Sequence, residues 1–288
     1  MILNKPFSAG KDARISSEII AMQNWGVYHP AVCLGSTAVG QTFENLIGIS
    51  QNNSTEADYK GVEVKAKRND PNNLLTLYTK NPRFPKNEKG EFRGRRLRPL
   101  VKEFGQDEFH EESGEMRRRL YQTIDNSSKS DSQKFFLRDN VECLELVCRK
   151  TEAVVAVWTI DDFLDGIKKL TNLIVADVDN RKMKGDGPEC FILKESKNKK
   201  KKAELKRREE FRYKSITYYW GFNPQKFYQK ILNGEAYVDL RAHIKTEQKK
   251  NAFRDHGTGF RIFLPDLAEL YDDHEIIDLN PQPMVLAA

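Results

Sequence analysis

The chain has few cysteines, no long hydrophobic run and no internal repeat. Its four cysteines form no CxxC pair, and no group of cysteines and histidines has the spacing of a zinc site. Apolar neighbours surround most of them, as in "VECLELVC", which predicts reduced, buried thiols in a cytosolic protein. The N-terminal segment lacks the apolar stretch of a signal peptide, and no segment reaches the roughly 20 apolar residues of a membrane span. We therefore expect a cytoplasmic protein with no membrane partner.

Neither sign of charge dominates the sequence. The 288 residues include 48 Lys and Arg against 42 Asp and Glu, which gives a net charge of +6 and a pI near 8.9. This excess is compatible with a polyanionic partner but does not by itself predict one, because many proteins with this balance bind no nucleic acid. Hydrophobic residues make up 39% of the chain, enough for one large domain or two lobes with their own cores.

Strand and helix patterns are mixed along the first half of the chain. Residues 10–50 have largely helical spacing, whereas "GVEVKAK" and "LLTLYT" alternate as strands joined by a hairpin-like turn in "RNDPNN". The segment "EMRRRLYQTI" has the pattern of a short amphipathic helix. The charge run at 194–214 is typical of a mobile loop or an exposed helix.

The second half is richer in apolar residues. "VECLELVC" and "AVVAVW" are predicted to pair as strands, and "IDDFLDGIKKL" to form a helix. "NPQKFYQKILNG" predicts a helix with Pro224 in its first turn and Gly234 at its end. The strands "AYVDLRAH" and "GTGFRIFL" precede a final helix-like "PDLAELY". Because strict βαβ alternation is missing, the patterns predict a mixed-sheet α/β or α+β fold.

Two carboxylates and a lysine are closely spaced in "TEADYKGVEVKAKR", residues 55–68. Alternate side chains of a strand share a face, so Glu63 and Lys65 point the same way and the valines point into the core. Asp58 lies at the entry to the strand, where a bend can bring its carboxylate back towards Glu63. Two converging carboxylates can bind a hard divalent cation, and the backbone carbonyl of Val64 could add a third oxygen.

Magnesium suits this set of oxygens, because it keeps water ligands and bridges to substrate phosphate. A lysine beside the ion can orient the attacking water or offset the charge of a pentavalent phosphate. These groups are the minimum for hydrolysis of a phosphodiester. The alternative is a solvated strand face with an ordinary Glu–Lys pair, because short charged motifs are common by chance.

An upstream helix supplies a further acidic group. In "TFENLIGI", Glu44 lies on a different helix face from the apolar residues and could reach into the same site. A plain exposed glutamate is the alternative.

Basic side chains are concentrated near the C-terminus. Arg241 and Arg261 stand on polar strand faces, and Arg254 and His256 lie on the predicted loop between the strands. Arginine reads guanine edges bidentately in the major groove, and histidine can donate to a purine acceptor. The alternative is a set of surface salt bridges to the neighbouring aspartates, Asp239 and Asp255.

Taken together, "TFENLIGI", "DYKGVEVKAKR", "VDLR" and "RDHGTGFRI", in this order, resemble the MvaI/BcnI family of Type II restriction endonucleases. The blocks bracket most of the chain. The resemblance implies a PD-(D/E)XK nuclease core with a fold similar to that of the mismatch-repair nickase MutH. It also implies Mg²⁺-dependent cleavage of double-stranded DNA at a short specific site by a monomer that cuts the two strands in succession. Ala57 precedes the first aspartate where the superfamily name has proline, which the chemistry does not require.

The resemblance also implies roles for single residues and an architecture. Asp58, Glu63 and Val64 would hold the metal ion, Lys65 would orient the water, and Glu44 would be an additional acidic residue. The DNA-binding candidates are Arg241, His243, Arg254, His256, Thr258 and Arg261. Two lobes would surround a DNA-binding cleft, with residues 1–150 mainly catalytic and residues 151–288 mainly engaged in recognition. The expected partner is double-stranded DNA, and a cognate DNA methyltransferase would act on the same site without necessarily binding this protein.

Other functions stay open at this point. They are a MutH-like nickase that cuts one strand, a non-catalytic DNA-binding module with a decayed nuclease core, and a basic scaffold for RNA, which no RNA motif supports. The basic stretches at 83–98 and 194–214 could contact phosphates, or they could be solvated segments that raise solubility.

Overall fold

The computed structural model describes residues 12–22, 25–49, 57–68, 74–111, 114–127, 133–194, 204–245 and 253–279. Most of the turn expected in "RNDPNN" and the centre of the charge run at 194–214 lie outside these ranges. Within the described residues, no helix is long and apolar enough to cross a membrane.

The helices of the described residues are short. They are α1 (Ala13–Met22), α2 (Ala38–Leu46), α3 (Leu97–Phe104), α4 (Ile160–Ile167) and α5 (Pro224–Asn233), with 3-10 turns at Lys168–Leu170, Pro188–Cys190 and Leu264–Leu270.

Strands cover more of the chain than helices do. They are β1 (His29–Pro30), β2 (Glu63–Arg68), β3 (Leu74–Thr79), β4 (Gln106–His110), β5 (Glu115–Ile124), β6 (Phe135–Asp139), β7 (Cys143–Cys148), β8 (Val154–Thr159), β9 (Asn172–Lys182), β10 (Phe191–Lys194), β11 (Glu204–Arg207), β12 (Glu209–Trp220), β13 (Ala236–Lys245), β14 (Phe253–Phe263) and β15 (Asp273–Asp278). The fold is therefore the mixed α and β class that the sequence predicts.

The chain divides into two compact units. The first unit contains Asn72–Lys168 and Asn223–Leu270, and the second contains Phe7–Pro71, Lys169–Phe222 and Tyr271–Ala288. This division differs from the continuous one at residue 150 that the sequence suggested. The reason is that the sheet of each unit combines strands that are far apart in the chain, such as β2 with β9 and β3 with β14.

The second unit is organised around a mixed sheet. Its strand order is β1–β12–β9–β2, β15 also pairs with β12, and β2 runs parallel to β9 whereas the other pairs are antiparallel. Val62 and Val64 are buried in its core, and α2 contacts β2. Phe43 of α2 is 0% exposed, which contributes about 2 kcal/mol through burial of its side chain. Its ring lies 4.9 Å from that of Tyr213.

The first unit contains a larger antiparallel sheet, of order β3–β14–β13–β5–β4, and a smaller sheet, of order β6–β7–β8. Aromatic rings fill its core: Tyr78 stacks on Phe260 at 4.5 Å, and Trp158 meets Phe260 edge-on at 5.6 Å. Gly166 of α4 permits this packing, because a Cβ atom there would overlap the ring of Tyr78. The helix therefore lies close against the sheet.

Several predicted elements are confirmed. β7 and β8 pair as antiparallel strands, and α4 continues into a 3-10 turn with Phe163 and Ile167 buried. α5 has Pro224 in its first turn and ends at Gly234, whose φ of 80° is the left-handed conformation that glycine adopts without strain. "PDLAELY" is mostly a 3-10 helix.

Other predicted elements are wrong. "EMRRRLYQTI" is strand β5, because the buried Leu120 and Ile124 are four residues apart, a spacing that fits both a helix and a strand, and pairing with β13 and β4 decides between them. β2 and β3 form no hairpin and lie in different sheets. The described part of the charge run, residues 204–214, consists of strands, since Phe211 and Tyr213 alternate into the core. Arg254 and His256 lie on β14 rather than on a loop.

Candidate active site

A tight turn places Asp58 beside the start of β2. Tyr59 and Val62 exchange backbone hydrogen bonds of 2.9 and 2.8 Å around Lys60 and Gly61, whose φ angles of 48° and 85° are both positive. Positive φ at both central residues is the requirement of a type I′ turn, which glycine meets at low cost. The turn returns the Asp58 carboxylate to the strand, where Oδ2 accepts a hydrogen bond of 3.1 Å from the amide of Val64. The bend expected from the sequence is therefore present.

Glu63 is the first residue of β2 and one of its most buried. The residue is 1% exposed, and its Oε1 accepts a hydrogen bond of 2.8 Å from the Lys65 ammonium. A second ammonium, that of Lys169, lies 2.7 Å from the same oxygen. Within the described residues, Glu63 Oε2 is buried and has no hydrogen-bond partner. A buried oxygen without a partner is unfavourable, so this atom is the natural position for a ligand that the chain itself does not supply.

Glu44 lies on α2, next to the buried Phe43, and is partly buried. Burial raises the pKa of its carboxyl group, and the nearby Asp58 and Glu63 raise it further against the opposing effect of Lys65 and Lys169. The Glu44 carboxyl group therefore lies within the electrostatic influence of the Asp58 and Glu63 carboxylates.

The pKa of the Asp58 carboxyl group is also raised. Burial raises the pKa of its carboxyl group, the charge of Glu63 adds to the rise, and the Val64 amide, Lys169 and Lys65 reduce it. The three carboxylates thus lie in a site where negative charge is not fully compensated. A divalent cation would supply the missing positive charge.

The side chains of the site could supply only some of the ligands of a hard cation. Among the described residues, no three His, Cys, Asp or Glu side chains converge closely enough to hold a metal ion. The side-chain oxygens available are those of Asp58 and Glu63, including the unpartnered Glu63 Oε2. This suits Mg²⁺, which keeps several water ligands and needs few from the protein.

The basic residues of the C-terminal region lie in the first unit, on adjacent strands. Asp239 of β13 is buried, and its Oδ2 lies 2.6 Å from Arg241 Nε and 2.7 Å from Arg261 Nη1. Its Oδ1 accepts a hydrogen bond of 3.1 Å from Thr123. The β13–β14 register shifts between Leu240 and Ala242, so Arg241 stands at a β-bulge, an irregularity that redirects a side chain. The salt bridges weighed as an alternative are therefore formed at Asp239.

Asp255 forms different contacts. It accepts hydrogen bonds of 2.6 Å from the Gly257 amide and 2.5 Å from the Asn81 side chain. These bonds fix the backbone of β14 next to His256, which is exposed together with Arg254.

A cavity of about 230 Å³ brings several of the candidates together. Its lining consists of Thr76, Thr79, Tyr121, Asp239, Arg241, His256, Gly257, Gly259 and Arg261. Three predicted DNA-binding side chains thus share one concave surface within the first unit. We call this surface the arginine pocket.

Two other predicted DNA-binding residues are buried. Thr258 is fully buried, and its amide and hydroxyl both donate to Asn81 Oδ1, at 3.1 and 3.3 Å. His243 lies behind the arginine pocket, its Nδ1 3.4 Å from the Tyr121 hydroxyl and its ring 5.4 Å from that of His256. Burial lowers the pKa of His243 to about 4, and Arg117 contributes. Both residues are placed to support the pocket rather than to reach a base.

Comparisons with known proteins decide the family. The model of the MvaI/BcnI restriction endonuclease family matches residues 26–271. The chain belongs to this family. It is accordingly a Type II site-specific deoxyribonuclease, and the resemblance drawn from the sequence blocks is confirmed.

Solved structures of restriction endonuclease MvaI are similar to the chain. MvaI in complex with its cognate DNA substrate has a TM-score of 0.65 and 22% sequence identity, and the match covers 94% of this chain and 100% of that one. MvaI in the absence of DNA has a TM-score of 0.48 and 22% identity, over 93% and 99%. The first of these matches shows a shared fold. No curated protein matches the chain.

In this member of the MvaI/BcnI family, much of the basic stretch at 83–98 is engaged in internal ion pairs. Arg83 and Arg95 converge on the buried Asp162, at 2.6 and 2.7 Å, and Arg96 pairs with Glu103 at 2.7 Å. Side chains held in this way stabilise the first unit and are less available to phosphates. At 204–214, Arg212 and Lys214 likewise pair with Asp179.

Sequence patterns missed two residues of these sites. Lys169 precedes β9, and only the parallel pairing of β9 with β2, in which Leu173 lies opposite Glu63, brings it to the carboxylate. Tyr121 is 42% exposed and lies opposite Arg241 in the sheet, but its segment was predicted as a helix. A correct strand assignment would have been the signal for Tyr121, whereas Lys169 needed the pairing of β2 with β9, which strand patterns alone do not give.

Proposed function

We propose that this MvaI/BcnI family enzyme hydrolyses both strands of double-stranded DNA at a short specific sequence, with Mg²⁺ as cofactor and as a monomer. The observation that carries the proposal is the buried Glu63 carboxylate, which has Lys65 at 2.8 Å on Oε1 and no partner on Oε2. A purely structural ion pair would have both oxygens satisfied, because an unpaired buried acceptor is costly.

Asp58, Glu63 and the Val64 carbonyl are the groups that would hold the ion. When bound, Mg²⁺ stabilises the charge that develops on the phosphate and acidifies water. The Val64 amide fixes the orientation of Asp58, and the tight turn at Lys60 and Gly61 fixes its backbone.

Lys65 would orient the attacking water, and its hydrogen bond to the Glu63 carboxylate supports this role. The water oxygen attacks phosphorus in line with the 3′ oxygen. The new P–O bond forms as the P–O3′ bond breaks, which leaves a 5′ phosphate and a 3′ hydroxyl that takes up a proton. Glu44 acts as the additional acidic group that strengthens the negative field of the site.

The arginine pocket would provide sequence readout. Arg241 and Arg261 are held by one carboxylate, that of Asp239, so their guanidinium groups are oriented before DNA arrives. Oriented arginines recognise guanine O6 and N7 bidentately, and His256 can donate to a purine acceptor. MvaI, which shares the fold, forms a complex with its cognate DNA, and this supports DNA binding by the present chain. A cognate DNA methyltransferase would protect the same site.

Digestion of a phage genome with the purified enzyme and Mg²⁺ tests the proposal. We expect discrete fragments whose mapped ends share one short sequence. Asp58→Ala and Lys65→Ala should abolish cutting and retain specific binding in Ca²⁺. Unchanged cutting by both variants would refute the assignment of the site.

A supercoiled plasmid carrying one site distinguishes cleavage of both strands from nicking. We expect open circles to appear first and to be converted to linear DNA, at rates that do not depend on enzyme concentration above saturation. Accumulation of open circles alone would instead identify a MutH-like nickase. Sedimentation of the Ca²⁺ complex should give one protein chain per duplex, and a 2:1 complex would rule out a monomer.

A further inference from the structure

Two ammonium groups compensate the same oxygen of one buried carboxylate. Lys65 Nζ lies 2.8 Å and Lys169 Nζ 2.7 Å from Glu63 Oε1. A single hydrogen-bonded lysine would suffice for a buried ion pair. The second lysine therefore calls for an explanation.

The two lysines are attached to the fold in different ways. Lys65 extends from the middle of β2, on the same face as Glu63. Lys169 belongs to a 3-10 turn whose next residue, Leu170, is buried and accepts a hydrogen bond of 3.0 Å from the Tyr271 hydroxyl. The backbone next to Lys169 is thus fixed to the second unit just before β9. This geometry suits a permanent contact to Glu63.

We propose that Lys169 is a positioning residue that keeps its ion pair with Glu63 Oε1 during the reaction. Lys65 can then leave this oxygen and orient the attacking water. The inference rests on the proposed function. If Lys65 were the only cation on Glu63, its departure would leave a buried carboxylate oxygen without compensation, which is strongly unfavourable. With Lys169 in place, Oε1 would stay paired and Oε2 would stay available to hold a metal ion.

A simpler explanation is that Lys169 only balances the charge of the three carboxylates. The two explanations differ in what the loss of Lys169 does to Lys65. If Lys169 only balances charge, its removal makes the site more negative and acts independently of Lys65. If Lys169 instead keeps the ion pair with Oε1, its removal forces Lys65 to stay on Glu63. The cleavage rate then falls because Lys65 can no longer orient the water.

The test compares Lys169→Met, Lys169→Arg, Lys65→Met and the double variant, with Lys168→Met as a matched control. Lys168 is the adjacent lysine and pairs with Asp165 at 3.0 Å. Single-turnover cleavage of a duplex in Mg²⁺ gives the rate of the chemical step. Calorimetric titration with Ca²⁺ gives cation affinity independently of cleavage.

We expect Lys169→Met to cut about 10–100-fold more slowly, the usual effect of losing a residue that orients a metal ligand. Its Ca²⁺ affinity should be unchanged or higher, because a positive charge has been removed. Lys169→Arg should restore most of the rate, and Lys168→Met should match the wild type. The double variant should cut no more slowly than Lys65→Met, because residues that act as a unit are not additive.

Wild-type rates in Lys169→Met, or losses that multiply in the double variant, would overturn the inference. A Ca²⁺ affinity that falls in step with the rate would also overturn it, because Lys169 would then act on the cation rather than through Lys65. Failure of the wild type itself to cut any duplex would instead reject the proposed function, and the two failures are therefore distinguishable.

Discussion

Glu63 in the second unit and Asp239 in the first unit are both buried carboxylates that hold two cationic side chains. They are 1% and 3% exposed. Asp239 is saturated: Oδ2 pairs with Arg241 and Arg261, and Oδ1 accepts from Thr123. Glu63 receives both of its lysines on Oε1 and keeps Oε2 unpartnered within the described residues. The two carboxylates therefore differ in their hydrogen bonds rather than in burial or charge. Both oxygens of Asp239 are bonded, so it can only position other groups, whereas Glu63 has an oxygen left for a ligand.

Asp162 extends the comparison within the first unit. Burial acts to raise the pKa of its carboxyl group, but hydrogen bonds from Arg83 and Arg95 outweigh it and lower the pKa. Asp58, by contrast, has a raised pKa, because burial and the charge of Glu63 outweigh its partners. Only the second unit thus contains, among these examples, carboxylates with uncompensated negative charge, which is the condition that favours a divalent cation.

The largest effect is expected from Glu63→Gln. The variant preserves shape but replaces the free carboxylate oxygen with an amide group, so it loses the charge that a cation would neutralise. We expect cleavage to fall about a thousandfold or more, in line with the loss of a principal electrostatic group, and specific binding in Ca²⁺-free buffer to persist. Single-turnover cleavage and gel-shift measurements check this. A loss below tenfold would place Glu63 with the positioning carboxylates.

Asp239→Asn is the matched change in the first unit. It removes the charge that holds Arg241 and Arg261, so the two guanidinium groups lose their fixed orientation. We expect the preference for cognate over scrambled duplex to fall about 10–100-fold, since each bidentate base contact contributes roughly 1–3 kcal/mol of discrimination. The competition assay should use DNA identified by fragment mapping. An unaltered preference would mean that recognition resides elsewhere than in the arginine pocket.

The contacts that depend on local geometry could be predicted from the sequence. Glu63 and Lys65 alternate on one strand, so their contact follows from a period of two, and Asp58 follows from the glycine turn between them. Lys169 could not be predicted in this way, since it reaches Glu63 only through the parallel pairing of β2 with β9, more than a hundred residues later in the chain.

The recognition residues illustrate the same limit. Arg241 and Arg261 were predicted from strand alternation, yet their shared bond to Asp239 depends on the register of β13 and β14. Tyr121 lies on a segment whose apolar residues fit both helical and strand periods, and only pairing with β13 fixes its place beside Arg241. Thr258 lies on the strand face of the buried Phe260 and Ile262, so its burial follows from alternation, whereas His243 is buried just beyond the register shift at Leu240 and Ala242.

A smaller effect, on stability alone, is expected from Asp162→Asn. The change leaves Arg83 and Arg95 without their carboxylate and weakens the capping box that Asp162 forms with Thr159 at the start of α4. Because both arginines are partly exposed to water, we expect a loss of about 2–3 kcal/mol in the free energy of unfolding. Urea unfolding measures it. Folded enzyme should cut with unchanged sequence preference, and altered preference would show that the 83–98 stretch takes part in recognition.

The smallest effect concerns the pH dependence of stability. His243 is 4% exposed, and burial, with Arg117 and His256, lowers its pKa to about 4. In the unfolded chain the histidine pKa is near 6.5, so the unfolded chain takes up the proton first as the pH falls. The free energy of unfolding therefore decreases as the pH falls from about 6.5 to about 4. The raised pKa values of Asp58 and Glu44 act in the opposite direction, since their folded forms bind protons more readily.

His243→Gln isolates this contribution. Between pH 7.5 and pH 5, the variant should lose less unfolding free energy than the wild type, by at most about 2 kcal/mol, because it has no proton to take up in the unfolded state. Urea unfolding at the two pH values, without metal, gives the difference. The exposed His274 is the matched control, and His274→Gln should lose as much stability as the wild type does. Equal losses in all three proteins would mean that burial does not keep His243 neutral in the folded protein.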